Sequence, residues 1–503
     1  MGLVAVLALV PSGPARAEAT CAPAPHAAGY WGSYGKDIAN TRHQDAENAI
    51  SATNAGSLRP AWTFSASAAD GAGDFTGTPV IANGCGYVGS NTGWLFAFNA
   101  DTGDPVWSVQ VPEGGVVNNT LAVDGDTLYA YVSLEGAPYV AALDALDGSV
   151  RWSTQVDEQP GSDAFASATV HDGMVIVGVS GDAAQHGDED ERDLFFGSFV
   201  IVDAATGEIL KKTWTIDPSE GEDGFAGATV TTSAAIDPVA KVAYLGTGSP
   251  FRPQFEHARA NALLKVDFDR ASATFGQILA SYKGDTLDDV IPGYSALPCE
   301  DLPTPAPPPI VPTGRGVGAC GDIDVDFAAS PNLFTGAGGR ALVGTSQKSG
   351  VFHAVDAASF EPVWTAMIGP AQPFGGVSAA YDGTSLYGGG APPGYLVALE
   401  PEEGDLEWAA PIGDGAHYGI PVASANGVVY SLGLTGTLNG YDAASGAPIL
   451  TFPLATATGS DGPFTFGGVS VARNTIYAAV GVQNTGLDPV GYFNGYVLAF
   501  RLA

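Results

Sequence analysis

The chain is short of cysteine, histidine and positive charge, and each shortage excludes a kind of chemistry. Its four cysteines form no Cys-x-x-Cys-His run, so no covalently held haem is expected and any electron acceptor is a separate molecule. The seven histidines (His26, His43, His171, His186, His257, His353 and His417) have no zinc spacing such as His-x-x-x-His. His353 lies within an apolar strand pattern and reads as structural. With 19 basic residues against 54 acidic ones the formal charge is −35. That charge repels nucleic acid and anionic lipid and suits a solvated exterior. The apolar run Gly2 to Val10 is too short to cross a bilayer, so no membrane insertion is expected. Followed by Ala15-Arg16-Ala17, it reads as a signal peptide over 1–17 that lacks its basic n-region, with mature protein from about Glu18. Thr20 before Cys21 does not suit lipoprotein processing. A secreted or periplasmic location follows.

Four cysteines in an exported chain permit two disulfides in three possible pairings. Cys299 and Cys320 bracket a proline-rich insertion and are the first expected pair, which leaves Cys21 for Cys85.

What the chain has in quantity is turn residues: 68 Gly and 35 Pro beside 45% hydrophobic residues, an all-β composition. One pattern recurs. An alternating apolar run leads to an acidic or amide residue, a small turn, usually with Gly, and a second run that often carries Trp. The copies are AFNADTGDPVW (97–107), ALDALDGSVRW (142–152), IVDAATGEILKKTW (201–214), KVDFDRASATF (265–275), AVDAASFEPVW (354–364), ALEPEEGDLEW (398–408) and GYDAASGAPIL (440–450). The acidic side chain accepts from turn amides and Gly takes a positive φ, so each copy reads as an antiparallel hairpin. An eighth copy is split between the termini, with GYVLAFRLA (495–503) as its first strand and LRPAWTF (58–64) as its second. Joining them predicts an eight-bladed β-propeller over 18–503, closed by the two terminal strands in one blade. Trp62, Trp107, Trp152, Trp214, Trp364 and Trp408 recur at one place in the repeat and read as staples between blades. Two stretches break the pattern: the acidic loop 181–193 and the connection 284–320, whose prolines at 303–312 are expected to shape the mouth of a funnel.

The hairpin with its Trp resembles the repeat of the quinoprotein alcohol dehydrogenases, which use pyrroloquinoline quinone (PQQ). Three segments narrow the resemblance to the polyvinyl-alcohol-dehydrogenase-like branch. WGSYGKDIANTRHQ (31–44) is similar to that branch's opening Trp-Gly-x-x-Gly-x-Asp and Asn-Thr-Arg-x-Gln. GDIDVDFAASPNLF (321–334) resembles its Asp-x-Asp-Phe-Gly-Ala-Ser-Pro, and QKSGVFHAVD (347–356) its Gln-Lys-Ser-Gly-x-x-x-Ala-Leu-Asp. The resemblance covers most of residues 30–503.

It implies PQQ over a Ca²⁺ ion at the ring centre, with an Asp accepting the alcohol proton. Carried over by position, Asp326 is the base, Asp324 its reserve, and Lys348 the cation beside the quinone oxygens. Ser180, Gly181, Thr231, Ser249 and Lys348 fall at cofactor-binding positions, and Asp182, Ser249 and Asp326 at metal-binding ones. The chain departs from the family where the stacking Trp becomes Thr231, an Asn or Asp ligand becomes Ser249, and a carboxylate ligand has no match at Ala183 although Asp182 precedes it. An Arg of the third repeat becomes Phe196, and the vicinal Cys pair is missing. The run Asp322-x-Asp324-x-Asp326 is no EF-hand, since Phe327 and Leu333 stand where that loop needs Gly and Glu. Three functions follow in order of support. The first is a PQQ-dependent oxidation of a secondary or polymeric alcohol, with electrons passed to an acceptor such as a cytochrome c. The second is a propeller that has lost its quinone and serves as a binding or assembly scaffold. The third is a hydrolase or lyase using Asp324 and Asp326 on a sugar polymer.

Overall fold

The computed structural model describes residues 20–21, 28–181, 195–251, 256–286, 289, 325–369, 376–390, 395–412, 421–433, 436–459, 467–481 and 495–503. The expected signal peptide, Cys299, Cys320, the prolines at 303–312, Asp182 and Asp324 lie outside them.

The described residues build eight antiparallel sheets of four strands, one of them extended by a fifth. Blade 1 comprises Val80–Ala82, Cys85–Gly89, Trp94–Asn99 and Pro105–Gln110; blade 2, Ala122–Asp124, Thr127–Val132, Tyr139–Asp144 and Val150–Gln155. Blade 3 comprises Thr169–His171, Met174–Val179, Ser198–Asp203 and Ile209–Trp214; blade 4, Ala235–Asp237, Val242–Gly246, Ala262–Asp267 and Ile278–Lys283. Blade 5 comprises Asn332–Thr335, Ala341–Ser346, Val351–Asp356 and Pro362–Met367; blade 6, Ala380–Tyr381, Leu386–Gly390, Tyr395–Leu399 and Leu406–Pro411. Blade 7 comprises Ala423–Ala425, Val428–Gly433, Thr437–Asp442 and Pro448–Pro453, and blade 8 begins with Val469–Ala472, Thr475–Val480 and Tyr496–Leu502. The fourth strand of blade 8 is the N-terminal Leu58–Ser65, running antiparallel to the C-terminal strand from Leu58 opposite Leu502 to Ser65 opposite Tyr496. First strands of successive blades touch around the axis at seven of the eight junctions, including that of blades 8 and 1, so the ring has no open edge between its ends.

Every blade shifts register by one residue at the same place in its outer hairpin. Beside this bulge Trp62, Trp107, Trp152, Trp364 and Trp408 face Ala499, Ala97, Ala142, Ala354 and Ala398. The small Ala leaves room for an indole that reaches across to the next blade. Trp107, Trp152, Trp364 and Trp408 donate through Nε1 to the carbonyls of Ala145, Ala204, Pro401 and Ala443, each in the turn of the following blade. The rings also lie on the turn glycines, close enough that a Cβ on Gly446 would stand 2.5 Å from Trp408.

Trp214 does not share this place. Its hairpin has the same loop length as that of blade 1, but the Trp comes three residues later, so Lys211 occupies the equivalent position and lays its stem over Gly276, while Trp214 faces Ser198 and carries the Lys212 ammonium over its ring at 4.4 Å. A second staple recurs unnoticed by the sequence reading. Tyr87, Tyr129, Tyr244 and Tyr477, on second strands, donate to the carbonyls of Ala145, Ala204, Ala357 and Ala100 of the next blade. A Tyr at the second or third residue of six of the eight second strands was the available signal.

The segment 28–44 circles one end of the axis. Its backbone bonds to Ile81, Val123, Ile236, Leu333, Tyr381, Ser424 and Arg473, one contact with every blade except the third. Arg42, fully buried, reaches back along the axis and donates to the carbonyls of Val422, Tyr34 and Val469 between the rings of Trp31 and Tyr34. Burial lowers its pKa to about 10. Cys21 is disulfide-bonded to Cys85, the pairing left by the first expected pair.

Candidate active site

In an antiparallel blade the start of the first strand and the turn between second and third strands share one end. Six of the residues singled out in the sequence lie in such places, at the end opposite the 28–44 strap. Ser180 and Ser249 follow the second strands of blades 3 and 4, Lys348 sits in the corresponding turn of blade 5, and Thr231 and Asp326 lie just before first strands. Gly181 follows Ser180, and a Cβ there would meet the Phe195 ring at 2.5 Å. The two stretches that break the repeat also leave the scaffold at this end.

Asp326, Lys348 and Ser249 are brought together across the junction of blades 4 and 5. Asp326 Oδ1 accepts from the Ser249 amide at 2.5 Å, Oδ2 accepts from Lys348 Nζ at 3.1 Å, and the Lys348 amide donates to the Asp326 carbonyl at 3.0 Å. Both charged side chains are buried. A buried carboxylate and ammonium persist only where they are paired and hydrogen-bonded, as here. The Ser249 hydroxyl donates to Asn261 Oδ1 at 2.8 Å and accepts from the Val325 amide at 3.1 Å, so it ties the Asp326 segment to blade 4.

Thr231 belongs to a different cluster, an axial cavity lined by Tyr34, Thr76, Asn118, Phe165, Thr231 and Ser330 among others. Its wall is a belt of hydroxyls. The amides of Thr78, Thr120, Ser167, Ser233 and Ser330 donate in turn to the hydroxyls of Thr120, Ser167, Ser233, Ser330 and Ser378, each in the next blade. Tyr34 of the strap closes onto Ser378 at 2.6 Å.

Several side chains at this end were not anticipated. Asn261 and Gln347 are fully buried, and Gln347 Nε2 donates to the carbonyls of Val325 and Asp285 while its Oε1 accepts from the Asp285 amide. Asp163 bridges Ser180 through both backbone groups and accepts from Ser133 Oγ. No periodicity announces these residues; only their departure from the repeat does.

Among the described residues the hydroxyls of Ser180 and Thr231 and the Asn261 Nδ2 are buried without a hydrogen-bond partner. Orphan donors at the end of the ring that also carries the buried Lys348 ammonium fit a flat, oxygen-rich group such as PQQ. A calcium ion asks for six to eight oxygens, and no three His, Cys, Asp or Glu side chains gather among the described residues. With both directions of the Ser249 hydroxyl in use and Asp326 held by Lys348, these residues do not form a calcium cage.

A family model described as outer membrane protein assembly factor BamB matches residues 22–246. A polyvinyl alcohol dehydrogenase of a Pseudomonas species is 25% identical, over 94% of this chain and 77% of its own length. That of Sphingopyxis sp. (strain 113P3) is 24% identical, over 78% of this chain and 61% of its own. The quinohemoprotein alcohol dehydrogenase from Comamonas testosteroni superposes with a TM-score of 0.71 at 18% identity, over 94% of this chain and 81% of that one. With eight blades and a terminal-strand closure, the chain is an eight-bladed β-propeller with the fold of the quinohemoprotein alcohol dehydrogenase, similar in sequence to a polyvinyl alcohol dehydrogenase along nearly its whole length.

Proposed function

We propose that this propeller oxidises an alcohol with PQQ, that the alcohol is secondary or polymeric, and that electrons leave to a separate acceptor such as a cytochrome c. The observation that carries the reading is the buried Asp326 and Lys348 pair, in the two segments where the resemblance places the base and the quinone-side cation. Bound PQQ supplies a two-electron acceptor for the hydride of the alcohol carbon. The Asp326 carboxylate takes the hydroxyl proton, which a base can do once the substrate oxygen comes within hydrogen-bond reach. Lys348 Nζ orients that carboxylate and would donate to the cofactor's oxygens, with Ser180 and Thr231 offering free hydroxyls, Gly181 a close backbone approach, and Ser249 holding Asp326 through its amide. Calcium enters no step. Export with cleavage after residue 17, leaving one domain over 18–503, belongs to the same proposal, and N-terminal sequencing of the exported protein tests it.

The direct test is titration of the metal-free protein with PQQ, with and without Ca²⁺, followed by dye reduction with secondary alcohols and polyvinyl alcohol. Quinone binding with alcohol-dependent dye reduction is expected. Asp326→Asn should abolish the reduction while leaving the circular dichroism spectrum that of a folded ring, with a lowered melting temperature because Lys348 loses its buried counter-charge. Full activity in that variant would remove Asp326 from the mechanism.

A specific observation favours a second reading, an assembly or binding scaffold. Thr231 offers no aromatic face on which a quinone could stack, and the matching family model is described as that of an assembly factor. No quinone binding at high micromolar concentration would make this the working function.

A further inference from the structure

The outer hairpins of the eight blades superpose through their shared bulge, which makes a residue that breaks the repeat visible. One residue before the bulge position, blades 1, 2, 3, 4, 6 and 8 place Phe96, Ala141, Val200, Leu264, Val397 and Leu498. Blade 5 places His353 there, opposite Thr365 and 2% exposed. Blade 7 places Asn439 there, so six of the other seven blades carry hydrocarbon; a buried imidazole needs partners, and its partners lie under the candidate site. Nδ1 is 3.1 Å from the Tyr282 hydroxyl, and Phe327 presents its ring edge-on at 5.2 Å. With the phenol donating to Nδ1, the imidazole proton sits on Nε2, which faces Asp285 Oδ2 at 3.6 Å. That distance is longer than a hydrogen bond, so the contact is electrostatic. It holds the Asp285 carboxyl below the usual carboxylate range despite partial burial, with Ser349 assisting.

Asp285 is in turn locked to Gln347 by two hydrogen bonds, Asp285 N to Gln347 Oε1 at 2.9 Å and Gln347 Nε2 to Asp285 O at 2.7 Å. Gln347 Nε2 also reaches the Val325 carbonyl at 2.6 Å, immediately before Asp326. Gln347 opens the turn that carries Lys348, closed by Gly350 N to Gln347 O at 3.0 Å with Gly350 at φ +86°. His353, Asp285 and Gln347 thus connect the strand of blade 5 to both segments that form the Asp326 and Lys348 pair.

We propose that His353 and Asp285 are positioning residues that fix the Gln347-Lys348 turn and thereby hold the Lys348 ammonium against Asp326. Neither touches the reacting atoms. The catalytic consequence rests on the dehydrogenase reading given above, whereas the structural consequence does not.

The test uses the full chain and two substitutions. His353→Leu installs the hydrocarbon found in six of the other blades and removes the donor facing Asp285. His353→Gln keeps an N–H in the same region. In an active enzyme His353→Leu is expected to lower kcat by about 10- to 100-fold, the cost of a small misplacement at a reacting centre, with alcohol KM nearly unchanged. His353→Gln should recover most of that loss. Amide hydrogen exchange provides a readout independent of activity: peptides covering 325–334 and 342–352 should exchange faster in His353→Leu than in the parent, and at the parental rate in His353→Gln. If the parent reduces no dye, the dehydrogenase reading fails while exchange still decides this inference. Unchanged exchange in His353→Leu, or an active His353→Leu enzyme with parental kcat, overturns it.

Discussion

At the scale of single residues the site is a matter of charge balance. Removing one member of a buried ion pair leaves the other unpaired and costs about 3–5 kcal/mol. Lys348→Met should therefore destabilise the protein by roughly that amount, and combining it with Asp326→Leu should recover much of the loss, because two apolar side chains of similar volume replace two charges. Urea unfolding of the parent, the two single variants and the double variant measures the cycle. Additive losses would mean that the two side chains do not stabilise each other. The sequence identified both residues through two short segments, but it could not place them 3.1 Å apart. They are separated by 22 residues, and only the docking of the 325–331 segment onto the turn of blade 5 brings them together. Thr231 was legible as a departure from the family, yet its grouping with the axial hydroxyl belt, away from Asp326, was not.

At the scale of elements the closing blade carries the clearest prediction. Leu58–Ser65 and Tyr496–Leu502 pair over their full lengths, and the latter also pairs with Thr475–Val480. Deleting residues 496–503 would strip the partner from two strands at once and expose long apolar edges, which invite pairing with other chains. The expected outcome is oligomer or aggregate in size-exclusion chromatography. A soluble monomer with parental β-sheet content would show that the ring needs no such closure. Turn chemistry made seven hairpins and the split eighth readable, because Asp and Gly act on neighbours within four residues. The Tyr87, Tyr129, Tyr244 and Tyr477 staples escaped notice, since each acts on a blade some 50 residues or more further along the chain or across its termini.

At the scale of the molecule, charge governs stability. With a formal charge of −35, self-repulsion opposes the compact state at neutral pH. Raising ionic strength from roughly 0.01 M to 1 M shortens the screening length from about 30 Å to about 3 Å and should raise the melting temperature at pH 7. Acid acts in the opposite sense through the turn carboxylates. Arg151 holds Asp144 below the ordinary carboxylate range and Arg270 does the same for Asp203, while the Ser359 amide and Arg340 lower Asp356 to about 2. A carboxyl whose pKa is depressed in the folded state stabilises fully above its unfolded value near 3.9 and loses that contribution as pH falls through its folded value. Stability should therefore decline from about pH 4 toward pH 2, and melting temperatures across pH 2–7 at both salt concentrations separate the two effects. A melting temperature that is flat below pH 4 would contradict the role given to these turns.

The sequence by itself determined the repeat, the number of blades and the strand-sharing closure, because alternation and turn residues act locally and a ring of repeats only multiplies a local rule. It also marked Asp326, Lys348 and Ser249 as worth watching. Tertiary structure alone decided that these three meet, that Thr231 does not join them, and that Trp214 stands off the stapling position. It alone decided that His353 supports a turn instead of filling a core, and that Arg42 closes the axis from the far end. Those outcomes depend on contacts between segments far apart in the chain, and no spacing along the sequence encodes which side chains a closed ring will turn toward its own axis.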